Sequence, residues 1–138
     1  MGRLLGIDYG EKRVGISISD PTGSIASPFY TLLYTSVVDL LEQLQNLIVS
    51  ENIEGIVIGL PIGMKGQETR QTKLVQQFVE LLQAQLDIPI DTADERLTSV
   101  VAENLLKEQG IRPSRNKAMV DSTAAAVILQ GYLDRAKQ

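Results

Sequence analysis

Leu4-Leu5-Gly6-Ile7-Asp8-Tyr9-Gly10-Glu11-Lys12-Arg13-Val14-Gly15-Ile16-Ser17-Ile18-Ser19 is the stretch whose reading decides the fold. An apolar run ends on an acid, Asp8, and a short turn brings the chain back into a second strand. There Val14, Ile16 and Ile18 alternate with Gly15, Ser17 and Ser19, the period-two pattern of a half-buried strand paired antiparallel with the first. Pro21-Thr22-Gly23 ends that strand, and Ser24 to Tyr30 supplies a third, which Pro28 places toward a sheet edge. A carboxylate at the C-terminal end of a buried strand is costly unless a metal or a cationic partner meets it there. Asp8 is therefore the first candidate for chemistry.

Beyond this meander the period changes. Val37, Leu40, Leu41, Leu44, Leu47 and Ile48 fall on one helical face, with Ser36 as N-cap and Asp39 in the first turn. Ile53 to Leu60 is a continuous apolar run, as expected of a central parallel strand covered on both sides. A loop from Pro61 through Gly66 leads to a second amphipathic helix carrying Leu74, Val75, Phe78, Leu82 and Leu86. Ile88-Pro89-Ile90 reads as a short strand that its proline sends to an edge. Thr98 reads as the N-cap of a helix bearing Val101, Ala102, Leu105 and Leu106 and stopped by Gly110, and a last helix runs from about Lys117 to Leu133. The order βββαβαβαα predicts an α/β fold, a mixed sheet with helices on its faces joined by right-handed crossovers.

The totals narrow the chemistry. A chain of 138 residues suits one domain with one core. Cysteine is absent, which removes disulfides, thiolate zinc sites and cysteine nucleophiles and makes a cytoplasmic location the expectation. Histidine is absent too, so imidazole metal sites, the usual serine triads and the commonest general base are excluded. No window resembles a membrane span or a signal peptide. A net charge of −4 argues against coating nucleic acid by charge alone, so phosphate binding should be local and metal-assisted.

Three acids lie against apolar segments: Asp8, Glu95 and Asp121. On the last helix Ala125, Ile128 and Tyr132 fall within about 40° of Asp121, so that acid points inward, and the small alanines let the helix approach the sheet closely. Each acid also has a local alternative. Asp8 can cap its turn, Glu95 can pair with Arg96 on the surface, and Asp121 can bond a backbone group near the helix start. Taken together, all three can reach one sheet rim. Phosphodiester hydrolysis needs a nucleophilic water, charge relief on the phosphoryl oxygens and a stabilised leaving oxygen, which two divalent ions supply. Carboxylates suit Mg²⁺ or Mn²⁺, and a site without histidine or cysteine disfavours zinc and copper.

Gly6-Ile7-Asp8-Tyr9-Gly10 with Lys12-Arg13-Val14-Gly15, Gly59-Leu60-Pro61, Asp94-Glu95-Arg96-Leu97-Thr98-Ser99, and Asp121-Ser122 through Ala124-Ala125 to Ile128-Leu129 and Tyr132-Leu133 occur in an order that spans nearly the whole chain. In these motifs the chain resembles the YqgF/RuvX family, RNase H-like nucleases related to Holliday-junction resolvases. The resemblance implies a single RNase H-like domain over residues 1–138. Its sheet would have five strands, a three-stranded antiparallel meander plus two parallel strands in the order 3-2-1-4-5, with helices on both faces. It also implies that Asp8, Glu95 and Asp121 are the catalytic, metal-binding acids of a hydrolytic nuclease maturing the 5′ end of 16S rRNA. One departure stands out: where the family usually has an Asn-Met-Asp/Asn-Gly-like loop, this chain reads Gly63-Met64-Lys65-Gly66, and no ligand is assigned there.

Around the acids lie basic residues. Lys12 and Arg13 flank Asp8, Arg96 follows Glu95, Lys65 sits in the glycine loop, and Arg112, Arg115 and Lys117 form a stretch without acids before the last helix. These are the candidate nucleic-acid contacts, with generic solubility of exposed loops as the alternative. With few aromatics to stack bases, recognition by backbone shape is favoured. The expected partners are precursor rRNA or branched DNA, and ribosomal particles that present the RNA. No membrane partner is expected, and the chain should act as a monomer or homodimer. Competing readings are a junction resolvase acting on DNA and a non-catalytic RNA-binding factor in ribosome assembly.

Overall fold

Period two carries the opening third of the chain into β1 (Arg3–Tyr9), β2 (Arg13–Ser19) and β3 (Ala26–Leu33), an antiparallel meander in which Ile7 faces Ile16 and Asp8 faces Gly15 across the first hairpin. The computed structural model describes residues 2–63, 65–94, 98–110 and 117–136. β3 runs three residues beyond the expected Tyr30. A bulge lets it do so: Ile16 pairs with Tyr30 and Ser17 with Pro28, so Phe29 is the extra residue and the ladder absorbs the proline. Between β2 and β3, the Asp20 carboxylate accepts the backbone N–H groups of Ile25 and Ser24 and the Thr22 hydroxyl. These bonds hold its pKa down to about 2.

Helix α1 (Val37–Ser50) starts where the sequence places it, with the Ser36 hydroxyl accepting the Asp39 N–H at 3.1 Å. It leads into β4 (Ile53–Leu60), which pairs parallel to β1. Thr69 and Thr72 close a capping box at the start of α2 (Arg70–Gln85). β5 (Ile90–Asp94) then adds parallel to β4, completing a five-stranded sheet of order 3-2-1-4-5. The edge strand lies after Pro89 instead of around it. Proline has no N–H to give the ladder, and its carbonyl accepts the Ile56 N–H at 3.0 Å instead. Helix α3 (Thr98–Glu108) includes Thr98 as its first residue, not as its cap, and ends where Gly110 takes a positive φ of 79°. Helix α4 (Lys117–Ala136) runs three residues past the expected Leu133.

Where the chain length suggests one core, the sheet, covered on both faces, separates two. On one face Leu5, Ile7, Val14, Ile16, Ile56 and Ile58 pack with Leu40, Leu44 and Leu47 of α1 and Val75, Phe78 and Leu82 of α2. On the other, Val57 and Ala93 meet Ile128, Leu129 and Leu133 of α4, and α3 packs on α4. β2 is consequently covered on both sides, not half-buried. Gly15, Ser17 and Ser19, which alternation reads as a solvent-facing row, lie buried, the last two under 3% exposed. The Ser17 hydroxyl donates to the Ala125 carbonyl at 2.8 Å, and the Ser19 hydroxyl accepts the Leu4 N–H at 2.9 Å.

Candidate active site

Two carboxylates, Asp8 and Asp121, meet where β1, β2 and α4 converge. Alternation along β1 and β2 sends Gly6, Asp8, Arg13, Gly15 and Ser17 to the face that α4 covers. The helix sits low because two of these residues have no side chain. A Cβ on Gly15 would collide with the Asp121 carbonyl oxygen, and one on Gly6 would stand 2.8 Å from Leu129 Cβ and 2.9 Å from the Ala125 carbonyl oxygen. Gln130 secures the other flank, its amide oxygen accepting the Ala26 N–H at 2.8 Å and its amide nitrogen donating to the Ser24 carbonyl at 3.0 Å.

The turn after Asp8 is held from the opposite face. The Tyr9 ring stacks on Phe78 with centroids 4.1 Å apart, and the Tyr34 hydroxyl donates to the Gly10 carbonyl at 2.8 Å. Asp8, Tyr9, Gly10, Glu11, Lys12, Arg13, Leu33 and Asp121 line an open cleft of about 550 Å³. Burial, and after it the charge of Asp121, push the Asp8 carboxyl up to about 7. The Arg13 Nε lies 3.3 Å from Asp121 Oδ2, an ion pair whose side chains are both partly exposed to the cleft.

The structure thus brings together two of the three expected acids. Glu95, Arg96, Arg112 and Arg115 lie outside the described residues. Among the described residues, no group of three acids is close enough to share an ion. Of the expected basic contacts, Lys12 and Arg13 line the cleft, and Lys65 is exposed in the loop before α2, away from the cleft lining. Lys117 opens α4. The sequence reading missed the pairing of Arg13 with Asp121. The signal was available, since Arg13 shares strand parity with Gly15 and Ser17 and so faces the same helix.

The sequence model of the family described as "RuvX: Holliday junction resolvase" matches residues 2–135. The chain belongs to the RuvX family. Its relatives include proteins of Chloroflexus aggregans and Roseiflexus, each named "Putative pre-16S rRNA nuclease". The first is 40% identical over 95% of this chain and 92% of its own length, the second 41% identical over 96% and 94%. Among solved structures, Thermus thermophilus RuvC in complex with a Holliday junction substrate superposes with a TM-score of 0.56 at 13% identity, covering 99% of this chain and 96% of that one. The fowlpox virus resolvase in its junction complex gives 0.59 at 10% identity, covering 99% of both chains. These structural likenesses place the RuvX chain in the RNase H-like fold of the resolvases.

Proposed function

We propose that this RuvX chain is a divalent-metal-dependent nuclease that hydrolyses phosphodiester bonds at the 5′ end of precursor 16S rRNA. The observation that carries this reading is the pairing of Asp8, a carboxyl raised to about 7, with Asp121 in one open cleft that Lys12 and Arg13 also line. A strained acid of this kind, poised beside a second acid, is the environment of a functional site. The donor set fits Mg²⁺ or Mn²⁺: both groups are hard oxygens, and a bound divalent ion would offset the burial and repulsion that raise the Asp8 carboxyl. Asp8 and Asp121 would hold the ions, with Glu95 as the third ligand by family resemblance. Such ions supply charge relief at the scissile phosphate and activation of water.

The chain's own residues do the rest. Asp8 is fixed by the β1–β2 ladder, so its carboxyl needs little reorganisation, and Asp121 is fixed by the seat of α4 on Gly15. Lys12, exposed at the rim, neutralises and orients the phosphate backbone without reading bases. The names of the relatives support rRNA as substrate, while the family description favours a second reading, cleavage of four-way DNA junctions.

The test is a parallel cleavage assay with Mg²⁺ or Mn²⁺ on precursor 16S rRNA within ribosomal particles, on the naked RNA and on a four-way DNA junction. Asp8→Asn and Asp121→Asn serve as controls against contaminating nucleases. Metal-dependent trimming of the rRNA 5′ end is expected, with both variants reduced by at least about 100-fold while RNA binding persists. Cleavage of junctions alone transfers the assignment to the resolvase reading. Binding of RNA with no cleavage of any substrate leaves an assembly factor.

A further inference from the structure

Arg13 carries more than the role of a phosphate contact. Its guanidinium Nε sits 3.3 Å from Asp121 Oδ2, on the side of the cleft that also holds Asp8. Among the described residues, the other charged groups lining that cleft are Glu11 and Lys12, both exposed. Among the described residues Arg13 is a cation paired with Asp121, in the place where a divalent ion would draw on the same carboxylate. Its side chain is 39% exposed, so it can leave the pair without leaving the cleft.

We infer that Arg13 is an exchangeable counter-ion. It holds Asp121 when the acidic site is empty of metal, gives way when a divalent ion binds, and is then available to the phosphate backbone of the nucleic acid. This rests on the reading that Asp8 and Asp121 hold divalent ions. Two consequences follow from linkage. Arg13 and the metal compete for Asp121, and metal binding and nucleic-acid binding reinforce each other, because each removes a competitor of the other. The geometry is suited to this exchange. Arg13 is the first residue of β2 and its backbone pairs with Leu33, so the Cα is anchored while the long side chain swings.

Mn²⁺ affinity measured calorimetrically at low ionic strength, without nucleic acid, is the decisive comparison between the unmodified protein and Arg13→Gln. A partly exposed pair is worth enough for the variant to bind Mn²⁺ about two- to fivefold more tightly. Equal or weaker Mn²⁺ binding by Arg13→Gln, with the unmodified protein binding normally, overturns the exchange and leaves the metal-site reading intact. No Mn²⁺ binding by the unmodified protein overturns both.

The second half is read from the salt dependence of binding to a mixed-sequence RNA duplex. In Ca²⁺ the log–log slope of Arg13→Gln should be shallower by about one than that of the unmodified protein, and in EDTA the two slopes should coincide. A slope difference independent of the cation overturns the hand-over. Should the variant fail to fold, the Arg13 Nε–H resonance of the unmodified protein decides. It should move on titration with Mg²⁺ and stay still in Asp8→Asn, and a resonance indifferent to Mg²⁺ overturns the proposal.

Discussion

At Asp8, burial and the neighbouring Asp121 charge act in the same direction, raising the carboxyl from 3.8 to about 7. Between those values the folded protein keeps a proton that the unfolded chain has released. The stability contributed by Asp8 is therefore fully present below about pH 4, falls as pH rises toward about 7, and levels off above it. The whole shift corresponds to about 4 kcal/mol. Asp8→Asn removes the ionisable group, so in EDTA at pH 8 the variant should be more stable than the unmodified protein by about 2–4 kcal/mol, and near pH 4 the two should match. Urea denaturation at several pH values measures this, and a stability difference that does not grow with pH contradicts it. The burial of Asp8 was legible in the sequence because it ends an apolar strand, although capping of its turn was an equal alternative there. The pairing of Arg13 with Asp121 was not, because a base in a turn reads equally as a phosphate contact or a solvated surface charge.

Helix α4 owes its position to what β1 and β2 lack. Gly6 and Gly15 leave room for its backbone, and Ser17 ties the sheet to the Ala125 carbonyl. Gly15→Ala would drive a methyl group into the Asp121 carbonyl oxygen, and since both partners are main chain, neither can rotate away. The helix must shift, at a cost of about 1–3 kcal/mol or more. Because Asp121 is the residue displaced, cleavage should fall by at least about 10-fold while Asp8 stays in place. The deciding comparison is Ser17→Ala, which loses one hydrogen bond of about 1 kcal/mol but forces no displacement and should keep most activity. Equal losses of activity in the two variants would contradict the positioning role of Gly15. This element also marks the limit of pattern reading. Strand parity is visible, but Gly, Ser and Ser on alternate positions look polar, which suggests a solvent face. Their size was the better signal, since a solvent face tolerates Lys or Glu whereas a helix seated on main chain does not. Likewise Pro28 and Pro89 correctly announced edges, yet the bounds moved by several residues because a bulge and a carbonyl bond accommodated them.

Across the whole molecule the two faces of the sheet are unequally held. The face bearing α1 and α2 is filled by large aliphatic side chains and Phe78, whereas α4 buries the small Ala124, Ala125 and Ala126, with Ala125 against β1 and β2, and uses Ile128, Leu129 and Leu133 further along. Small residues give close backbone approach but bury less apolar area per residue, so the α4 layer should have the lower free energy of local opening. The candidate site spans that division: Asp8 stands on the sheet and Asp121 on helix α4. An ion held by both would cross-link the layers and favour only the state in which they are docked. Hydrogen exchange should then show α4 opening before β1, β4 and α1 in EDTA. Adding Mg²⁺ should slow exchange in α4 about 10-fold at ten times the dissociation constant and leave the opposite core nearly unchanged. Asp121→Asn should abolish the selective protection. If Mg²⁺ instead slows exchange evenly over both layers, or protects α4 equally in Asp121→Asn, the ion is not bridging these two carboxylates, and the division of the site between a rigid sheet and a docked helix is wrong.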